Sequence, residues 1–274
     1  MKVALVINGL QQAAIDAAAH AQTHLADVGH EAVVINCAQE ASTGLRPELI
    51  IALGGDGTLL RAFHLFEHAL APLLGINFGR LGFLSGAIST DLFDAIDYAL
   101  SKAPNTEDRT LLEVSVVLKT AEDPVAVRAL NEVMIGRGMN AKVVATDLAI
   151  NGHAIYSLRG DGLIVATATG STAYALSAGG PIVSPGYDGM VIVPLASHTL
   201  VQRAIVTAPD DTVSITLPEK HRSNIIVVVD GTDLEVHPDD IASIEIKRSS
   251  SELELIKLDS RLFYDTVAQH FFTR

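Results

Sequence analysis

Short runs of consecutive apolar residues, separated by helix-favouring stretches, organise the first hundred residues of this 274-residue chain. The first run, Val3 to Ile7, contains no polar side chain. A strand without polar alternation is typical of a parallel sheet that is covered on both faces. The pattern predicts strands at 3–7, 31–35, 48–53 and 72–76, and helices at 11–28 and 59–70. This alternation predicts a Rossmann-like α/β domain with a parallel sheet over residues 1–108.

After residue 108 the pattern changes to successive β-favouring runs with little helical periodicity. Asn151-Gly152 separates two such runs, 143–150 and 153–158, and this dipeptide is the strongest short signal for a β-hairpin. Further strands are predicted at 163–168, 213–217, 224–229, 243–247 and 252–256. We therefore expect a β-rich, β-sandwich-like second domain over residues 109–257. The tail has a helical pattern from 262 to 272, and residues 258–274 are expected to pack back on the first domain.

The charge balance and the cysteine content disfavour several classes of partner. The formal net charge is −13, from 32 Asp plus Glu against 19 Lys plus Arg. This balance repels phosphate backbones and anionic lipids, so neither nucleic acid nor a membrane is an expected partner. No apolar run approaches the ~20 residues that span a bilayer, and no signal-peptide pattern is present. Cys37 is the single cysteine, which fits a reducing cytoplasm, so we expect a cytoplasmic protein.

The segment Gly54-Gly55-Asp56-Gly57-Thr58 lies between a predicted buried strand and a predicted helix. Glycines let the backbone approach a ligand, and the amides at a helix N-terminus favour phosphate, so these residues form a candidate phosphate loop. A carboxylate in such a loop is costly unless it takes a proton, meets a metal ion or binds a sugar hydroxyl. All three needs arise when a phosphoryl group is transferred to a hydroxyl. The alternative is that Asp56 merely caps a helix that begins near Thr58.

Two familiar nucleotide motifs are absent from the sequence. It contains no G-x-x-x-x-G-K-[ST], which argues against a P-loop NTPase. No G-x-G-x-x-G follows the first strand, which argues against an ordinary nicotinamide dehydrogenase. The ten histidines show no metal-ligand spacing.

Two further polar segments are candidates for nucleotide binding. Asn131-Glu132 stands at the edge of a strand-like run, where an amide and a carboxylate together could bind ribose or an adenine amino group. In the segment 160–174 a predicted strand enters a Thr-Gly-Ser-Thr turn, and Tyr174 offers a ring for stacking. The alternatives are an ordinary turn at Asn131-Glu132 and ordinary Ser/Thr capping of the short helix that follows residue 172.

These motifs, in this order, resemble those of the NAD kinase family over most of the chain. The shared segments are GGDGT at 54–58, the NFG-LGFL-like stretch at 77–84, NE at 131–132, GDGLIVATATGSTAYALSAGGPIV at 160–183 and P-x-x-x-H-T-L at 194–200. Lipid kinases of the diacylglycerol and sphingosine type are similar in the GGDGT loop, but they lack the long second segment. The resemblance implies an α/β domain plus a β-rich domain, with the C-terminal segment returning to the first.

The resemblance also implies roles for individual residues. Asp56 would accept the proton of the 2′-hydroxyl of the adenosine ribose of NAD, with Gly57 and Arg61 beside the same site. Asn131 and Glu132 would bind the nucleotide. The remaining residues implied in NAD binding are Lys142, Asp161, Thr172, Ala173, Tyr174, Ala175, Leu176 and Ser177. Family members use ATP, or in some cases polyphosphate, with a divalent metal that is usually Mg²⁺, and they form homodimers or homotetramers.

The sequence departs from the family pattern at four places. The usual Thr-Pro-Thr-Gly is 167–170, Thr-Ala-Thr-Gly, and the usual Arg-Pro-Leu-Val is 203–206, Arg-Ala-Ile-Val. Thr232 stands where many members have Gln, and 85–87, Ser-Gly-Ala, replaces a more acidic stretch. None of these changes touches Asp56. Two alternatives stay open: a lipid or other small-molecule kinase, and a catalytically silent NAD-binding regulator.

Overall fold

The computed structural model of the chain describes residues 1–38, 44–79, 82–138, 143–197, 203–218, 225–258 and 263–272. The chain divides into two compact units. The first unit comprises residues 1–109 together with 253–274, and the second comprises residues 110–252. Within the described ranges, no helix has the length and apolar character needed to cross a membrane.

A parallel sheet forms the centre of the first unit. Its strands are β1 Lys2–Ile7, β2 Glu31–Asn36, β3 Leu49–Leu53, β4 Leu73–Asn77 and β5 Ala87–Ile88. They lie in the order β2-β1-β3-β4, and β5 also pairs with β4. The helices are α1 Gln12–Asp27, α2 Asp56–Phe66 and α3 Leu92–Ala99, and the terminal helix is Phe263–Val267, followed by a π-type turn at Ala268–Phe272.

Burial in the first unit explains why these segments form these elements. All five residues of β3 are buried, as its uninterrupted apolar sequence predicts for a central parallel strand. Helix α1 buries a stripe of mostly small residues at helical spacing, namely Ala14, Ala17, Ala18, Ala21 and Leu25. Small side chains let the helix lie close to the sheet, and the apolar stripe gains free energy by leaving water.

Two antiparallel arrays form the second unit. One has the order β13-β12-β11-β8-β15-β16, with β8 Glu132–Arg137, β11 Gly162–Ala166, β12 Val191–Leu195, β13 Ile205–Val206, β15 Ile225–Val229 and β16 Thr232–Asp233. The other has the order β10-β9-β14-β17-β6-β7, with β6 Thr106–Leu118, β7 Val125–Ala129, β9 Val144–Ile150, β10 His153–Gly160, β14 Thr212–Thr216 and β17 Ile241–Ile256. Residues from both arrays, such as Val133 and Ile244, share one buried cluster. The predicted fold class, a parallel α/β domain plus a β-rich domain, is confirmed.

The hairpin predicted at Asn151-Gly152 is confirmed as the connection between β9 and β10. Both turn residues have positive φ, 51° for Asn151 and 76° for Gly152, as a type I′ turn requires. The Asn151 side chain also anchors the turn, because its Nδ2 donates to Asp211 Oδ1 at 2.7 Å and its Oδ1 accepts from Thr212 N at 2.9 Å.

The two strands predicted at 243–247 and 252–256 are one continuous strand, β17, of 16 residues. The polar segment between them looked like a break in sequence, but the structure provides its charges with partners. Lys247 Nζ lies 3.2 Å from Glu113 Oε1, and Arg248 pairs with Asp188 at 3.4 Å and with Glu252 at 2.7 Å. The last residues of β17 belong to the first unit, where Leu255 is in parallel register with Leu73.

The hairpin turn leads to a stability prediction. Gly152→Ala should destabilise the protein by about 1–2 kcal/mol, because a Cβ disfavours the left-handed region. Gly186→Ala is the matched control, since an added Cβ there meets no atom within 4 Å and its φ is outside that region. The control should range from no change to about 1 kcal/mol of stabilisation. Urea unfolding of both variants checks this, and equal midpoints would contradict the role of the turn.

Candidate functional site

The candidate phosphate loop lies at the carboxyl end of β3, where α2 begins. Gly54 N donates to Ile76 O at 3.0 Å, and Gly55 precedes the first helical residue, Asp56. A Cβ on Gly54 would come within 2.3 Å of Thr58 Oγ1, so this close turn requires glycine. Gly57 is exposed, and an added Cβ there meets no atom within 4 Å. The first turn of an 11-residue helix at this edge of a parallel sheet is a suitable binding place for phosphate.

The Asp56 carboxylate is held by the turn at residues 82–85. Phe83 N donates to Oδ2 at 3.1 Å, and Ser85 Oγ donates to Oδ1 at 3.3 Å. Helix α2 begins at Asp56, with Gly55 at the N-cap position, so Asp56 does not precede a helix that begins near Thr58. A Cβ on Gly82 would lie 2.2 Å from Asp56 Oδ1, so only glycine permits this approach. These two hydrogen bonds, the ones made by the described residues, leave lone pairs of the carboxylate available for a hydroxyl proton.

Two cationic side chains that the sequence did not predict, Arg109 and Lys257, interact electrostatically with Asp56. Arg109 is 3% exposed and pairs with Glu107 at 2.9 Å. Burial lowers the pKa of Arg109, and the charges of Glu107 and Asp56 partly offset this. The pKa of Lys257 is also lowered, to about 8. Burial is the largest cause and the charge of Arg109 adds to it, while the charges of Glu107 and Asp56 raise the pKa in part. No local motif marks either residue, because both meet Asp56 only through the fold.

Arg61, predicted to add positive charge, lies on α2 and is exposed. Its charge reaches the Cys37 thiol, whose pKa is raised by burial and lowered in part by Arg61. A guanidinium one helical turn beyond Gly57 remains available to a solvent-borne anion.

Asn131 and Glu132 stand at the start of β8 in the second unit, and one carboxylate organises them. Asp230 accepts three successive backbone N–H groups, from Leu130 at 2.7 Å, Asn131 at 2.8 Å and Glu132 at 2.9 Å. Asp230-Gly231 is the turn between β15 and β16, with φ of 45° and 82°. The Asp-Gly dipeptide is typical of such a hairpin, but the hydrogen bonds from residues 130–132 to the Asp230 carboxylate were not predicted.

The Glu132 carboxyl group is buried at 9% exposure, and among the described residues Oε2 has no hydrogen-bond partner. Burial, and then the charge of Asp230, raises the pKa of Glu132 to about 8, while a hydrogen bond from the Tyr174 backbone lowers it in part. At neutral pH the group is therefore largely protonated. A neutral carboxyl can both donate to and accept from a ligand, and it does not repel an anion.

The hydroxyl-rich turn before Tyr174 lies against the same dipeptide. A Cβ on Gly170 would come within 2.1 Å of Asn131 O, and Thr167 Oγ1 donates to Leu130 O at 2.6 Å. The Ser171 and Thr172 hydroxyls donate to Ala168 O and Thr169 O, at 2.6 Å and 3.1 Å. These hydroxyls therefore shape the turn, but they do not cap the short helix, whose N-cap residue is Ala173.

The remaining predicted residues of this segment form the short helix that follows the turn. The helix spans Tyr174–Ser177, with the Tyr174 ring 47% exposed and Ala175 buried. Ala173 and Leu176 are half-buried, and Ser177 is exposed. The exposed ring is free of the core and can stack on a planar group.

Asp161 forms an ion pair with Arg137, whose Nε lies 2.9 Å from Asp161 Oδ1, and this partner was not predicted. Lys142, residues 80–81 of the NFG-LGFL-like stretch and residues 198–200 of the last motif lie outside the described residues. Across the part of the chain that is described, no three His, Cys, Asp or Glu side chains are grouped as metal ligands.

Comparison with known sequences places both units beside characterised proteins. Residues 5–103 match the ATP-NAD kinase N-terminal domain, and residues 130–258 match the ATP-NAD kinase C-terminal domain. The NAD kinase of Alcanivorax borkumensis is 38% identical over 248 residues, which are 89% of this chain and 79% of that protein. The NAD kinase of Heliobacterium modesticaldum is 36% identical over 219 residues, which are 79% and 76% of the two chains.

Two solved structures have the same fold. The crystal structure of an NAD kinase from Archaeoglobus fulgidus in complex with ATP has a TM-score of 0.80 and 26% identity, covering 98% of each chain. Yeast NADH kinase complexed with NADH has a TM-score of 0.83 and 21% identity, covering 99% of this chain and 87% of that one. At that identity, the second likeness concerns the fold alone.

The buried Glu132 leads to a pH prediction. Its folded pKa of about 8 exceeds the unfolded value of 4.5, so the folded state binds the extra proton between these values. Relative to Glu132→Gln, the wild-type free energy of unfolding should fall as pH rises through this window, by at most about 1.4 kcal/mol per pH unit. Glu122→Gln, at an exposed position in the same unit, controls for net charge. Denaturant unfolding from pH 5 to pH 8 checks this, and a constant difference would contradict it.

Proposed function

The chain belongs to the NAD kinase family, and we propose from that premise how its own residues phosphorylate NAD to NADP. The γ-phosphate of ATP is transferred to the 2′-hydroxyl of the adenosine ribose. The observation that carries the proposal is the Asp56 carboxylate, held by Phe83 N and Ser85 Oγ at the start of α2. A fixed carboxylate beside an anion-binding helix terminus suits phosphoryl transfer to a hydroxyl.

Asp56 acts as the general base. The 2′-oxygen forms a bond to the γ-phosphorus, the bond from that phosphorus to the β–γ bridging oxygen breaks, and ADP leaves. The hydroxyl proton passes to Asp56. The amides of Gly55 and Gly57 stabilise negative charge on the transferring group, because they lie at the N-terminus of α2.

The family resemblance implies a divalent metal, usually Mg²⁺, which would accompany ATP as part of the phosphoryl donor. Mg²⁺ commonly binds through substrate phosphates and one or two carboxylates rather than through a cage of protein ligands. Asp56 is a carboxylate of the required chemical type in the phosphate loop. When bound, the metal would supply neutralising charge to the phosphates, while the chain positions the acceptor hydroxyl and takes its proton.

Asn131, Glu132 and the exposed ring of Tyr174 bind the dinucleotide, together with Asp161, Ala173 and the other residues of 172–177. The protonated Glu132 offers a donor and an acceptor to a base or ribose without repelling the diphosphate of NAD. Arg61 and Lys142 supply positive charge for the phosphates. Homodimer or homotetramer formation stays a prediction from the family resemblance, and a cytoplasmic location stays a prediction from the single cysteine, Cys37.

Asp56→Asn should lower kcat by about 10²- to 10⁴-fold, because the amide cannot take the hydroxyl proton. The dissociation constant for NAD should change far less, since the dinucleotide contacts remain. Asp94→Asn, which removes an exposed carboxylate from the first turn of α3, is the matched control and should retain activity. Steady-state kinetics measures kcat, and calorimetry measures the dissociation constant for NAD. An unchanged kcat in Asp56→Asn would contradict the role of Asp56 as general base.

The function itself is tested with the purified protein, NAD, ATP and Mg²⁺, with NADP measured by an NADP-specific dehydrogenase. NADP should form only when all three are present. Binding of NAD without NADP formation would favour a silent regulator. No NAD binding, together with phosphorylation of a lipid or another small alcohol, would favour the kinase alternative that shares only the GGDGT loop.

A further inference from the structure

Lys257 contacts the reverse side of the turn that holds Asp56. Its Nζ lies 3.4 Å from Phe83 O, 3.2 Å from Leu84 O and 3.2 Å from Ser85 O. Two of these residues also supply the donors to the Asp56 carboxylate. The turn therefore has carbonyls that accept from an ammonium group, and an N–H and a hydroxyl that donate to a carboxylate.

The backbone around Lys257 is fixed by its neighbours in the first unit. Lys257 N donates to Asn105 O at 3.0 Å, and Leu258 N donates to Gly86 O at 3.2 Å. A Cβ on Gly86 would come within 2.1 Å of Ile256 O, so the chain beyond β17 runs in close contact with the residue after the turn. The half-buried Lys257 stem thus starts from a rigid base.

The chemistry of the contact is specific to a charged amine. An ammonium group has three donors and no acceptor, which matches three carbonyl oxygens. A neutral amine has two donors and a lone pair, and that lone pair would face a carbonyl oxygen. The charged groups that act on Lys257 are Arg109, Glu107 and Asp56, and the net pKa of about 8 places the loss of this charge near pH 8.

We propose that Lys257 is a positioning residue for Asp56, which fixes the turn at residues 83–85 and thereby orients the carboxylate towards the acceptor hydroxyl. The inference rests on the proposed role of Asp56 as general base. Lys257 itself contacts neither substrate nor reacting atoms in this assignment. Its effect passes through the Phe83 N–H and the Ser85 hydroxyl, whose positions follow from the carbonyls that it holds.

A variant without the ammonium group tests the proposal, because kcat should fall while the KM values should stay nearly unchanged. Lys257→Met keeps a long apolar stem without donors, and kcat should fall about 10- to 100-fold because small misplacements of a catalytic group are costly. The KM values for NAD and ATP should stay within about twofold. Lys119→Met is the matched control, since Lys119 Nζ donates to one backbone carbonyl, Asp239 O at 2.6 Å, within the second unit.

The pH profile tests the proposal without a disruptive variant. Wild-type kcat should decline as pH rises through about 8, where Lys257 loses its charge. Lys257→Arg keeps a cation throughout this range, so it should restore most of the activity lost in Lys257→Met and shift the decline above pH 10. This comparison remains decisive if Lys257→Met does not fold.

The outcomes separate the proposal from the function on which it rests. Wild-type protein that forms no NADP would overturn the function. An active wild type in which Lys257→Met matches Lys119→Met, or in which Lys257→Arg keeps the wild-type alkaline decline, would overturn the positioning role alone. A higher KM with unchanged kcat would also overturn it, because Lys257 would then act in substrate binding.

Discussion

The hydrogen bonds from Phe83 N and Ser85 Oγ to the Asp56 carboxylate are the interaction on which the candidate active site depends. A carboxylate beside phosphates is electrostatically unfavourable, so its position has to be fixed by hydrogen-bond donors. The fold meets this need with a turn whose polar groups serve two purposes: donors face Asp56 and carbonyls face Lys257. Gly82 makes the approach sterically possible, since any side chain there would overlap the carboxylate.

In the second unit a carboxylate positions other residues instead of being positioned by them. Asp230 is a fixed acceptor that binds three consecutive amides and thereby sets the backbone of residues 130–132. Its charge also reaches Glu132, where it adds to burial in favouring the protonated form. One acidic group in each unit is thus involved in positioning, but Asp56 is held by its neighbours, whereas Asp230 holds them. Both arrangements rely at least in part on backbone N–H groups, which only a substitution by proline would remove.

Local patterns were sufficient to predict the parallel sheet, the β-rich second unit and the Asn151-Gly152 hairpin. These features follow from apolar runs and from a turn that demands positive φ, and both are properties of neighbouring residues. The continuity of β17 was missed because its polar middle is stabilised by Glu113 and Asp188, which come from other segments. The influence of Lys257 and Arg109 on Asp56, and the role of Asp230, were missed for the same reason, since Asp56 and residues 130–132 are remote from these groups along the chain.

The sequence by itself determined the order of elements, the position of the glycine-rich loop before a helix and the identity of the carboxylate within it. Those conclusions need only periodicity, propensity and motif chemistry, which act over a few residues. Tertiary structure alone decided which groups face that carboxylate, which hydroxyls are consumed in shaping a turn, and that Glu132 is buried beside Asp230. Hydrogen bonds and charge interactions depend on distances between segments that are remote along the chain, and only the packed fold sets those distances.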